Sequence, residues 1–384
     1  MHLTDTKIIY RALCLVSILL SACGGGGGGA APGTTTVRSA YVANSGDNTI
    51  SQYTIDATTG ALTQKAAATV ASISGLTNST PSSVTVDPSG KYAYVANSGS
   101  EFISQFSIGA GGGLVPMNPP TVQSGNAGSG PISVTVDPMG RYVYAANSNE
   151  NTVSLFTIAS GGSLLFVTTF PSITGATWPG PVSVTVDPTG KYVYVVNQSS
   201  NFISQYTIGV GGALAAMVPP TVTTGTNPVS ITIDPTGKYA YVANYGSDTI
   251  SQYNIGSVTP GALTPMAPAT VGGVSTQLSF PTSIAIDPSG TYAYVANGSG
   301  VYLYSITNGA LTDNMNPKTI LTGGTTPRSI TVDSSGKFVY VANQGDSTIS
   351  QFTIGAGGTL STPTITSGAV NSQPYSITTA VSIQ

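Results

Sequence analysis

From Ser83 to Val86 the chain alternates polar and apolar side chains, the two-residue period of a half-buried strand. Asp87-Pro88-Ser89-Gly90 then predicts a tight turn. Proline presets one turn angle, glycine permits a positive one, and aspartate can accept from the turn backbone. Lys91–Asn97, rich in tyrosine and valine, predicts a second strand; Ser98-Gly99-Ser100-Glu101 reads as a loop, and Phe102–Ile108 alternates again. After the glycines of Gly109–Gly113, the stretch Leu114–Val122 carries Pro116, Pro119 and Pro120. Proline cannot donate to a strand ladder, so this fourth strand belongs at a sheet edge.

The unit recurs along the chain. Tyr-Val-Ala-Asn or a near variant ends at Asn44, Asn97, Asn147, Asn197, Asn244, Asn297 and Asn343, at spacings of 53, 50, 50, 47, 53 and 46 residues. A period near 50 with strand content marks a repeat architecture. The preceding strand and turn recur only six times, ending at Asp87, Asp137, Asp187, Asp234, Asp287 and Asp333. The seventh first strand lies at the far end, where Pro374-Tyr375-Ser376-Ile377-Thr378 matches Pro-x-Ser-(Val/Ile)-Thr. That offset predicts a ring: the C-terminal strand pairs with the N-terminal strands and leaves no open edge between first and last units. The expected fold is an all-β, seven-bladed β-propeller of four-stranded antiparallel blades, about 28 strands in all. It would occupy Arg38–Gln384 as one domain. The period of two and the glycine and proline every few residues argue against a helical solenoid.

The segment before it reads differently. Lys7 and Arg11 precede a short apolar run, Ala12–Ala22, which is too short to cross a bilayer and reads as a signal peptide over residues 1–22. It ends in Leu20-Ser21-Ala22-Cys23, which resembles the bacterial lipobox and predicts cleavage before Cys23 and lipidation of that residue. Residues 23–37 then form a tether. As a Gly-rich coil, Gly24–Val37 would span about 20 Å. Gly24 stands where an aspartate would favour retention at the inner membrane, so the outer membrane is expected in a Gram-negative host. Removing the leader takes away His2 and Cys14, and Cys23 carries the lipid. The mature chain then has no histidine and no free thiol, which excludes disulfides and Cys- or His-based catalysis or metal binding. Of 11 basic and 14 acidic residues, 9 and 13 remain once Lys7, Arg11 and Asp5 are gone, a net charge of −4. Charged residues are only 7% of the chain, against about 25% for ordinary soluble proteins. There is no basic patch for nucleic acid.

The repeated Tyr-Val-Ala-Asn phrase, followed by Asn-Thr-Ile-Ser-Gln-Tyr at Asn48–Tyr53 and its later copies, resembles the YVTN-type repeat of the lactonase-like seven-bladed propellers. The likeness covers nearly all of Arg38–Gln384. It implies the propeller fold, and it implies hydrolysis of a sugar lactone as an activity. Members of that family credited with catalysis tend to use His, Arg and Glu near the channel. This chain departs from that set, with no mature histidine and only Arg38, Arg141 and Arg328.

Strand order predicts two faces. The Asp-Pro/Ser-x-Gly turns lie at the bottom, where Lys91, Arg141, Lys191, Lys238 and Lys337 are expected to balance the aspartates. The loops between second and third strands lie at the top, with the connections between blades. The top carries Asp47, Glu101, Glu150, Asp248 and Asp346, together with Trp178, Tyr245 and Phe280, which break the repeat. Arg328 and Tyr375 follow the proline that opens an innermost strand, so they are expected near the mouth of the central channel. Such a face could hold a carbohydrate, another small molecule or a protein. Were the chain catalytic, Glu101 or Glu150 would serve as base and Arg328 would polarise a carbonyl. No loop has the dense carboxylate spacing of a dedicated calcium site, and no cofactor is expected. The reading is therefore a lipid-anchored extracytoplasmic binding module. A lactone hydrolase and a structural or adhesive surface protein are the alternatives.

Overall fold

The computed structural model describes residues 36–172, 180–256, 259–272, 278–313, 319–367 and 372–383. The signal, most of the tether, Cys23 and Trp178 lie outside the described residues. The ordered strands begin at Thr36, so Thr36 and Val37 join the first strand, opposite Ile383 and Ser382.

Seven antiparallel sheets are present, six of them ordered as the chain runs, from an innermost to an outer strand. The second blade is representative: Pro81–Val86, Tyr92–Asn97, Phe102–Ile108 and Leu114–Gln123. The first blade takes its innermost strand, Pro374–Ile383, from the far end of the sequence, paired antiparallel to Thr36–Asn44. The ring closes as the repeat offset predicts. In the sixth blade the outer position is shared by two short strands, Ala310–Asp313 and Thr319–Leu321, both paired with Gly300–Thr307.

The apolar core is itself a ring. Buried side chains fall into seven clusters, one at each junction between neighbouring blades. The closing junction joins Ala40, Val42 and Ile377 of the first blade to Phe338, Tyr340 and Ile349 of the seventh. At the same junction Arg38 pairs with Asp333 at 3.4 Å.

A tyrosine latch crosses every junction. The central tyrosine of each second strand is fully buried and donates its hydroxyl to a glycine carbonyl in the next blade, at 2.6–2.9 Å. Tyr94 donates to Gly162, and Tyr340 of the seventh blade donates to Gly60 of the first. The acceptor must be glycine: Gly162 has φ +83°, and a Cβ there would lie 2.2 Å from Tyr92 Cδ1. Burial pushes these phenols up, to about 12 at Tyr41, so they stay protonated donors.

The repeat asparagine is also structural. In six blades its side-chain amide donates to the serine of the neighbouring third strand, as from Asn44 to Ser51 at 2.7 Å. The sixth blade has Tyr302 in place of that serine, and Asn297 instead accepts from the backbone of Ser299 and Gly300.

The turn aspartates are buried, and they are satisfied mainly by the backbone rather than by cations. Asp187 accepts from the amides of Thr189, Lys191 and Tyr192 at 2.7–3.0 Å and from the Thr189 hydroxyl. Among the described residues only Arg141 balances the aspartate of its own turn, Asp137, at 3.0 Å. There Met139 replaces the serine or threonine, and the guanidinium takes over the freed carboxylate oxygen. The lysines stay in solvent because their aspartates already have three backbone donors each.

Candidate functional site: the axial mouth

The innermost strands open with Pro-x-Ser or its variant, and this places two rings of side chains around the axis. The serines form the inner ring: Ser83, Ser133, Ser183, Ser230, Ser283, Ser329 and Ser376. Six of them accept a backbone N–H from the next blade, such as Val134 N to Ser83 Oγ at 3.2 Å. With the oxygen so engaged, each hydroxyl proton remains available to a guest. A serine hydroxyl both accepts and donates, so the scaffold uses one capacity and leaves the other to the cavity.

The variable residue after the proline forms the second ring, and it divides the mouth. Thr282, Arg328, Tyr375 and Ser82, from consecutive blades, make a polar arc; Ile132, Val182 and Val229 make an apolar one. Together with Gln198 they line a cavity of about 190 Å³. That is below the ~300–1,000 Å³ of sites for drug-sized ligands, and suits a single small ring.

Among the described residues Arg328 is the one cation that lines this cavity. Its guanidinium lies 4.3 Å from the centre of the Tyr375 ring and donates through Nη2 to the Tyr375 hydroxyl. Among the described residues the ion pairs are Arg38–Asp333 and Arg141–Asp137, so Arg328 has no carboxylate partner. Among the described residues no carboxylate lines the cavity either. A half-buried guanidinium above a ring of serine hydroxyls is a donor-rich hole, and it calls for a ligand rich in acceptor oxygens.

The carboxylate candidates stand in loops that start one strand farther out. Asp47 Oδ1 accepts from the amide and hydroxyl of Thr49 at 3.2 and 2.7 Å. Asp346 accepts from the Thr325 amide at 3.0 Å and the Thr348 hydroxyl at 2.8 Å. Glu150 is held by Asn126 and by Thr152, the latter at 3.2 Å. Asp47 braces its own loop, and Asp346 and Glu150 also tie theirs to the preceding inter-blade connection. Glu101 and Glu150 are not among the cavity's lining residues, so Arg328 does not meet either proposed base. Asp248, Tyr245 and Phe280 do come together: the Phe280 amide donates to Asp248 Oδ1 at 2.7 Å, and the two aromatic rings lie 5.2 Å apart. Among the described residues no cluster of three or more His, Cys, Asp or Glu could hold a metal ion.

Sequence reasoning placed Arg328 and Tyr375 but missed the two rings and the polar and apolar arcs. The signal was present in the residue between proline and serine, read blade by blade. Larger clefts lie elsewhere, about 790 Å³ between the fourth and fifth blades and about 610 Å³ between the first and second. Their occurrence at equivalent junctions marks them as products of blade packing.

A family model described as lactonase, 7-bladed beta-propeller, matches residues 34–123, 113–218, 212–317 and 276–372. Among solved structures, the periplasmic gluconolactonase of Pseudomonas aeruginosa superposes with a TM-score of 0.73 at 18% identity, over 90% of this chain and 99% of its own. A Bacteroides fragilis protein, provisionally assigned as a 6-phosphogluconolactonase, gives 0.73 at 22% identity, over 90% and 98%. A Lactobacillus plantarum protein gives 0.74 at 20% identity, over 90% and 99%. Identities this low carry the fold alone. No curated protein sequence matches the chain.

Proposed function

The chain belongs to the lactonase family of seven-bladed β-propellers, and on that footing we propose that its axial mouth binds a sugar lactone and opens it by hydrolysis. The observation that carries the reading is the donor-rich cavity with a single unpaired guanidinium, Arg328, at its rim. Hydroxide from solvent adds to the lactone carbonyl, and the carbonyl oxygen becomes an oxyanion. Arg328 holds that oxygen, Tyr375 fixes the guanidinium plane, and the serine hydroxyls hold the sugar oxygens. The ring C–O bond then breaks, the ring oxygen takes a proton, and the product is a hydroxy acid. One well-aimed donor to an oxyanion contributes roughly 10²–10³ in kcat. Among the described residues the cavity lining has no carboxylate and no imidazole, so on this reading the nucleophile is hydroxide from solvent. The rate should rise about tenfold per pH unit between pH 6 and 9, with no acidic limb.

The test is a panel of aldonolactones, phosphorylated and not, with Arg328→Ala beside the wild-type chain. Turnover lost in the variant supports the proposal. Turnover equal in both, or absent from the wild type, counts against it. The missing base favours a second reading, a binding module that holds the lactone or its acid without turning it over; calorimetric binding without hydrolysis would select it. The proposal includes export and anchoring through Cys23, supported by the Leu-Ser-Ala-Cys run and the Gly tether. Cys23→Ala should shift the protein from the membrane fraction to the soluble one, and an unchanged distribution would remove the anchor from the account.

A further inference from the structure

Two positions on the top face are filled by an aromatic residue in one blade only. The residue before the innermost-strand proline has positive φ in every blade: Thr80, Gly130, Gly180, Asn227, Thr326 and Gln373 share this with Phe280, at +48°. Glycine and asparagine adopt that conformation readily, whereas for β-branched Thr80 and Thr326 and for the bulky Phe280 it is strained, so what sets this blade apart is the aromatic ring rather than the strain. The ring gains little burial in return, since Phe280 is 50% exposed. The residue after the repeat asparagine is Ser45, Ser98, Ser148, Gln198, Gly298 or Gln344 elsewhere, but Tyr245 in the fifth blade, 36% exposed.

These two exceptions meet. The rings of Tyr245 and Phe280 are 5.2 Å apart with planes inclined at 39°, an open V rather than a closed stack. Room for it comes from a third exception: a Cβ on Gly298 would lie 3.3 Å from Phe280 Cδ2, although Gly298 itself has no positive φ to require glycine. Asp248 holds the Phe280 amide and so fixes the strained residue. The pair borders the mouth. Phe280 stands two residues before Thr282, and the Tyr245 amide donates to Asn227, two residues before Val229; Thr282 and Val229 both line the cavity. Exposed aromatic side chains that the other blades do without point to function.

We propose that Tyr245 and Phe280 form a stacking subsite for an uncharged pyranose ring, beside and separate from the Arg328 site. An open aromatic V offers an apolar face to the C–H face of a sugar while leaving its hydroxyl edge to water and to the hydroxyls of the mouth. Neither cation–ring contact among the described residues, Arg141–Tyr142 or Arg328–Tyr375, involves this pair, so no side-chain cation of the described residues covers its rings. The ligand class is therefore an oligosaccharide, or a lactone carrying a second sugar, rather than a monocyclic lactone alone.

The test titrates the full chain with soluble cello-, malto- and chito-tetraoses by calorimetry, using wild type, Tyr245→Ala and Phe280→Gly, with a thermal melt of each. One series should bind the wild type and weaken about tenfold or more in each variant, while Phe280→Gly melts at the same temperature or higher because glycine suits the positive φ. The proposal falls if none of the sugars binds, if either variant binds as well as wild type, or if Phe280→Gly melts well below it. Lactone opening is a separate signal, so a failure of the hydrolase reading and a failure of this subsite are told apart.

Discussion

The bottom turns and the axial rim lie at opposite ends of the same innermost strands, and they treat equivalent positions in opposite ways. At the turns, six aspartates occur at six places, each taking backbone amides at four and five residues ahead. At the rim, the residue after the proline is Tyr, Ser, Ile, Val, Val, Thr or Arg. A side chain that satisfies buried backbone donors has no freedom to change, because loss of it strands those donors. A side chain that faces a cavity has that freedom. Uniformity in this molecule marks structural labour, and departure from the repeat marks the places open to binding and chemistry.

The comparison can be broken at the scaffold end first. Deleting Pro374–Ile383 removes the innermost strand of the first blade and part of the closing core, and should abolish the cooperative melt. A truncated chain melting normally would show that the ring is not needed. High pH comes next. The latch tyrosines have folded-state pKa values raised above their unfolded value near 10, by burial above all. Their contribution is fully present below pH 10 and is lost as pH rises through the folded values. Between pH 10 and 11 each costs about 1 kcal/mol of stability, and seven together approach the whole stability of a typical domain. The melting temperature should hold to about pH 9.5 and then fall steeply; a flat profile to pH 11.5 would contradict the latch.

Single substitutions sharpen the picture. Gly162→Ala meets both a positive φ and the Tyr92 ring and should cost about 3 kcal/mol. Asp187→Ala strands three backbone amides and should cost about 2–3 kcal/mol, read by denaturant titration, with lactone turnover per folded molecule unchanged. Turnover falling with Asp187→Ala would blur the line between the faces.

Much of the fold was legible because its determinants are local. The period of two, the Asp-Pro-x-Gly turns and the edge prolines of Leu114–Gln123 each report on their own strand. The seven-against-six offset reported on closure. The latch was not legible, since Tyr94 and its acceptor Gly162 are 68 residues apart in different blades. At the site, Arg328 and Tyr375 could be placed because the preceding proline fixes the start of an innermost strand. Glu101 and Glu150, the conditional bases, sit in loops between second and third strands; such a loop starts one strand out from the axis, and sequence spacing does not carry that radial distance. The mutual contact of Tyr245 and Phe280 likewise depends on the neighbouring blade.

The most direct measurement pairs the two arginines of opposite faces. Arg328→Ala and Arg141→Ala are each assayed for lactone opening and for melting temperature. Arg328→Ala should lose roughly 10²–10³ in kcat with little change in melting. Arg141 is 44% exposed and pairs with Asp137, so Arg141→Ala should keep full turnover and lose about 0.5–1 kcal/mol of stability. Equal turnover in the two variants would contradict the account.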